Sequence, residues 1–89
     1  MKKSIYKKEY KFFVQVFTEY RTKAGLLQVD LAKKLGVPQS YISKIETGQR
    51  KVDIIELREI CTHLKITLAE FVTHLEKEIN AKVLLRYTS

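Results

Sequence analysis

Two glutamines, Gln28 and Gln39, stand eleven residues apart, and each opens a short segment with helical character. From Gln28 to Glu46 the chain reads QVDLAKKLGVPQSYISKIE, two short helices joined by a tight turn at Gly36. Leu31, Ala32, Leu35, Val37, Ile42 and Ile45 are apolar at the positions where two crossed helices must touch. Such a pair is the usual device for presenting one helix to a DNA major groove. The polar types left over suit that task. A glutamine carboxamide bonds adenine N6 and N7 together, and a lysine donates to guanine O6 or N7.

Other reactive side chains do not form a constellation. Cys61, His63 and His74 suggest a metal cluster at first sight. Cys61, however, fits the apolar face of a helix, His63 turns away from it, and no fourth ligand stands at a zinc spacing. A thiol in apolar surroundings is inert as a nucleophile. Ser40 and Ser43 have no His and carboxylate arranged as a triad. With no acid, base, nucleophile or metal set, neither an enzyme nor a bound cofactor is expected.

The 89 residues suffice for one small domain, and 45% hydrophobic with 30% charged residues describes a globular chain. No apolar run is long enough to span a membrane, and no signal peptide is visible. The lone cysteine agrees with a reducing cytoplasm, so a cytoplasmic, nucleoid-associated location is expected. The net charge of +7 is unevenly placed: residues 1–24 carry +5, residues 25–52 carry +3 and residues 53–89 carry −1. That asymmetry fits a nucleic-acid-facing surface, although a charge run alone is more often a solvated face.

Five helices must position the glutamine segment. The first is expected from about Ile5 to Ala24, with Tyr6, Tyr10, Phe13, Phe17, Tyr20 and Ala24 on one arc. Its interleaved aromatics and lysines could stack on single-stranded nucleic acid. The stronger reading makes the aromatics core, leaving Phe12 outside the face and Val16 at its edge, to pack on the tail or a second subunit. Lys2, Lys3, Lys7 and Lys8 form either a basic arm or a solvated terminus. The second and third helices cover about Gln28–Leu35 and Gln39–Thr47, with Pro38 at the start of the latter. Gly25, Gly36 and Gly48 each follow a helix, where a left-handed cap is wanted. Asp53 with Glu56 and Thr67 with Glu70 form capping pairs for the fourth and fifth helices, with Val52 and Ile66 as staples onto Leu57 and Phe71. The buried faces are expected to be Leu57, Ile60, Cys61 and Leu64, then Leu68, Phe71, Val72, Leu75 and Ile79. Residues 1–79 form the domain. The apolar tail, residues 80–89, reads equally as helix or short strand and suggests a partner surface.

From about Arg21 to Leu75 the chain resembles the phage-repressor/Cro-type (XRE) helix-turn-helix domains. The elements that carry the resemblance are GLLQVDLAKKLG, VPQSYISKIETGQR, the amphipathic fourth helix and LKITLAEF. Ala32, Gly36, Ile42, Ile45 and the SKIE-x-G run fall at the family's spacing. The chain departs from the pattern at Leu27 and Pro38, where the family commonly has Ser or Thr caps. The resemblance implies an all-α, lambda-repressor-like domain that binds double-stranded DNA and regulates transcription.

Carried over residue by residue, it makes Gln39, Ser40, Ser43 and Lys44 the base-reading side chains of the third helix. Gln28 would brace Gln39 and donate to a phosphate, and Gln49, Arg50 and Lys51 would form a loop on the phosphate backbone. Tyr41 would touch a phosphate or shield the core. Arg21 and Glu46 would pair structurally across helices one and three. The implied partner is a palindromic operator bound by a homodimer, most simply as a repressor, since the chain has no room for a ligand-sensing domain. An antitoxin whose tail binds a toxin, and a restriction–modification controller, would use the same chemistry.

Overall fold

The computed structural model describes residues 3–88, with side chains for residues 8–82. Among these residues the chain forms five α-helices and no strand: α1 Lys3–Lys23, α2 Gln28–Leu35, α3 Gln39–Glu46, α4 Ile54–His63 and α5 Leu68–Thr88. The tail is therefore helical as far as Thr88, and α5 runs unbroken through residues 79 and 80. The side chains from residue 83 onward, and those of Lys2, Lys3, Tyr6 and Lys7, lie outside the described ones.

Helix α1 packs on α3 and α5, α2 lies against α3 and α4, and α4 meets α5. Phe13, Val16 and Phe17 enter the core together, at spacings that place them on one face. Val16 is fully buried, which corrects its assignment to the edge of the stripe. The reason is angular: the inward arc of α1 is wider than the aromatic stripe, reaching Val16 on one side and Arg21 on the other. Tyr10 and Tyr20 flank this centre and are only half-buried.

The opposite walls are Leu31 and Ala32 of α2, Ile42 and Ile45 of α3, Leu57, Ile60 and Cys61 of α4, Leu64, and Phe71 of α5. Phe71 fastens α5 to α1 through rings 5.4 Å from Phe13 and 5.9 Å from Tyr20. Each such aromatic pair adds about 0.5–1.5 kcal/mol beyond simple burial. Val72 lies outside the inner face of α5 and is exposed, a second correction; Leu68 and Leu75 are half-buried against the core.

The helix ends follow local chemistry. Asp53 accepts from the Glu56 N–H at 2.8 Å while the Glu56 carboxylate accepts from the Asp53 N–H at 3.1 Å. Thr67 and Glu70 repeat the exchange at 3.0 and 3.2 Å. Leu27 has no capping side chain, but Asp30 accepts its N–H at 2.9 Å, satisfying one donor at the start of α2. Gly36 closes α2 with φ 71°, its N–H bonded to Lys33 and that of Val37 to Ala32. The same closure ends α4, but there the left-handed residue is Lys65, with φ 62°. Nothing in its residue type announced that turn.

Candidate nucleic-acid interface

A side-chain relay ties three helices together behind α3. The Arg21 guanidinium of α1 grips Glu46 at the end of α3 with two bonds, Nε to Oε2 at 2.6 Å and Nη2 to Oε1 at 3.0 Å. Its Nη1 donates to the Leu26 carbonyl at 2.8 Å. The two partners are only 10% and 9% exposed, so little water competes for them. Glu46 Oε1 also accepts from Gln28 Nε2 at 3.0 Å, and Gln28 Oε1 in turn accepts from Gln39 Nε2 at 3.3 Å. The two glutamines thus meet across the turn, and an ion pair anchors the first of them.

Helix α3 divides into two faces. Ile42 and Ile45 are fully buried, whereas Gln39, Ser40 and Lys44 are exposed and Ser43 is half-buried. Residues spaced i, i+1, i+4 and i+5 share one side of a helix, so these four polar side chains form a single outward row. The apolar half seats the helix; the polar half is left facing outward.

The loop after α3 is held from both sides. The N–H groups of Gln49 and Arg50 both donate to the Lys44 carbonyl, at 2.9 and 3.0 Å. The Tyr10 hydroxyl donates to the Arg50 carbonyl at 2.9 Å, and Lys51 Nζ lies 3.7 Å from the centre of the Tyr10 ring. The Arg50 guanidinium stacks 4.3 Å from the centre of the Tyr41 ring and reaches Glu56 at 3.4 Å. Gln49, Arg50 and Lys51 all remain exposed beside the polar row of α3.

Tyr41 uses its only donor inside the chain, giving its hydroxyl proton to Glu56 at 2.6 Å. That bond, reinforced by the Asp53 N–H, holds the Glu56 carboxyl down to about 2. Burial, then the bond to Glu56, raises the Tyr41 hydroxyl above its ordinary value. The ring therefore serves as a platform for Arg50, and its hydroxyl has no second proton for a phosphate. Sequence reasoning read Glu56 only as a cap and Tyr10 only as core; their second roles depend on tertiary approach.

The remaining reactive groups are dispersed. Burial pushes the Cys61 thiol up to about 11. His74 lies on α5 near Glu19 and Glu78, at 3.7 and 3.4 Å, and no group of three candidate ligands converges among the described residues. Within the same residues no helix is long and apolar enough to cross a membrane.

Comparison with known proteins gives the same core element. Residues 18–71 match a family model described as helix-turn-helix. The control protein C.MunI of Mycoplasma sp is 36% identical over 58 residues, covering 65% of this chain and 78% of that protein. An XRE-family like protein from Pseudomonas syringae pv. tomato str. DC3000 superposes with a TM-score of 0.77 at 33% identity, over 85% of this chain and 93% of that one. The restriction-modification controller protein C.Esp1396I gives 0.72 at 32% identity, over 80% and 91%. The chain belongs to the XRE-type helix-turn-helix family of DNA-binding transcriptional regulators.

Proposed function

We propose that the protein reads a specific duplex sequence with α3 in the major groove, acting as a homodimer on a palindromic operator. The observation that carries this reading is the outward row of Gln39, Ser40, Ser43 and Lys44, backed by two buried isoleucines. Gln39, Ser40, Ser43 and Lys44 contact base edges. Arg50, Lys51 and Gln49 contact phosphates, joined by the remaining N–H of Gln28 and the backbone at the start of α2. The α5 extension from residue 80 onward supplies the dimer contact, placing two copies of α3 about 34 Å apart. Occupancy of a promoter-overlapping site excludes polymerase, so repression needs nothing beyond binding. The setting is the cytoplasm, where the lone cysteine stays reduced.

A second reading, control of a restriction–modification system, is favoured by the similarity to C.MunI and C.Esp1396I. Selection of bound duplexes from a random pool tests the main reading: an inverted repeat with half-sites about one helical turn apart is expected. Recovery of single-stranded or unrelated sequences would refute it. A recovered site lying ahead of adjoining endonuclease and methyltransferase genes would favour the second reading, and its absence there would remove it.

A further inference from the structure

The relay behind α3 has a direction, imposed by chemistry. An ionised carboxylate only accepts hydrogen bonds, so Glu46 can hold Gln28 only by its Nε2 group. Arg21 fixes that carboxylate with two bonds of its own, leaving it little freedom to rotate. With Nε2 turned toward Glu46, the Gln28 amide must offer Oε1 on its other side. Gln39 meets that oxygen and can answer it only as a donor, through Nε2.

The consequence lies at the exposed end of Gln39. One N–H of its amide is engaged by Gln28, which leaves one N–H and one oxygen facing outward. One donor beside one acceptor matches adenine, whose N7 accepts and whose N6 donates. The reverse orientation would turn both N–H groups outward, a pattern suited to the two acceptors of guanine.

We propose that Glu46 is a positioning residue for base recognition: through Gln28 it fixes which end of the Gln39 amide faces the base, and so sets adenine at that position. The inference rests on the proposed reading of DNA by α3 and deepens it by naming the residue that fixes the orientation of the reading amide. Glu46 touches no base itself. Its part is to keep the two amides in register, using an ion pair whose evident role is to join α1 to α3.

The test uses the full-length protein and the operator recovered by selection, varied one base pair at a time. The position read by Gln39 is the one whose preference is lost in Gln39→Ala. Glu46→Gln lets the residue-46 amide donate to Gln28 and reverse its orientation; Gln28→Met breaks the relay while leaving Arg21 and Glu46 paired. Both variants are expected to lower the adenine preference at that one position by about tenfold, within the range of a bidentate base contact. Glu46→Gln is further expected to raise the relative binding of guanine there, while preferences at other positions persist. A merely structural role would weaken all duplexes alike and leave the ratio unchanged. Unchanged adenine preference in Gln28→Met would overturn the relay even if Glu46→Gln failed to fold. A different base at that position in the wild type would also overturn it, without touching the reading by α3. Absence of any position sensitive to Gln39→Ala would instead overturn base reading by Gln39, and the relay with it.

Discussion

Replacing Arg21 by methionine tests whether the ion pair is part of the core or a surface ornament. The substitution keeps most of the aliphatic stem but removes the donors to Glu46 at 2.6 and 3.0 Å and the donor to the Leu26 carbonyl at 2.8 Å. Glu46 would be left at 9% exposure with Gln28 as its surviving side-chain partner. Breaking a buried pair costs about 3–5 kcal/mol, whereas an exposed pair contributes at most about 1 kcal/mol. The residual exposure and the Gln28 bond place this case at the lower end, near 3 kcal/mol. Urea unfolding followed by circular dichroism measures it. With a slope near 1 kcal/mol/M, as for a small domain, the midpoint should fall by about 3 M. Adding Glu46→Leu to Arg21→Met should recover at least about 1 kcal/mol, because the unpaired charge is then gone. A loss below about 1 kcal/mol in the single variant, or no recovery in the double, would instead show a surface contact of little consequence.

Three further outcomes follow from particular contacts. Lys65→Gly should stabilise the fold by about 0.5–1 kcal/mol, seen as a higher Tm, because the residue stands at φ 62° without needing a side chain there. Tyr41→Phe should cost about 1 kcal/mol at neutral pH through the bond to Glu56, checked by urea unfolding. Because the folded Glu56 carboxyl sits near 2, below its ordinary 4.5, its contribution is present above about pH 4.5 and fades as pH falls through 2. The gap between wild type and Tyr41→Phe should therefore narrow over that acid window, and a constant gap would contradict the assignment. Lys51→Ala should weaken binding to cognate and random duplexes alike and reduce the salt slope by about 1, measured by anisotropy across a salt series.

The helices and their punctuation were legible in the sequence because they rest on local chemistry. Capping pairs at Asp53–Glu56 and Thr67–Glu70, and glycine at residues 25, 36 and 48, act within a few residues of themselves. The apolar seats of α2 and α3 were equally plain, since Leu31, Ala32, Ile42 and Ile45 recur at helical spacing and are buried. Local patterns did not reveal the left-handed lysine at residue 65, a residue type that carries no turn signal. Nor did they reveal the depth of Val16, which depends on where neighbouring helices cross α1. Tyr41 and Glu56 lie fifteen residues apart, and Tyr10 and Arg50 forty, so their bonds exist only after α3, α4 and α1 have packed. The tail was ambiguous because VLLRYTS suits either helix or strand; continuation of the α5 hydrogen-bond ladder decides for helix.

In the proposed function Gln39 reads a base from the outward face of α3. That role is tested most directly by comparing wild type and Gln39→Ala on an operator in which each base pair is changed in turn. A loss of about 1–3 kcal/mol confined to one base pair is expected, with preference relaxed there and retained elsewhere. An equal loss on cognate and random duplexes would contradict it.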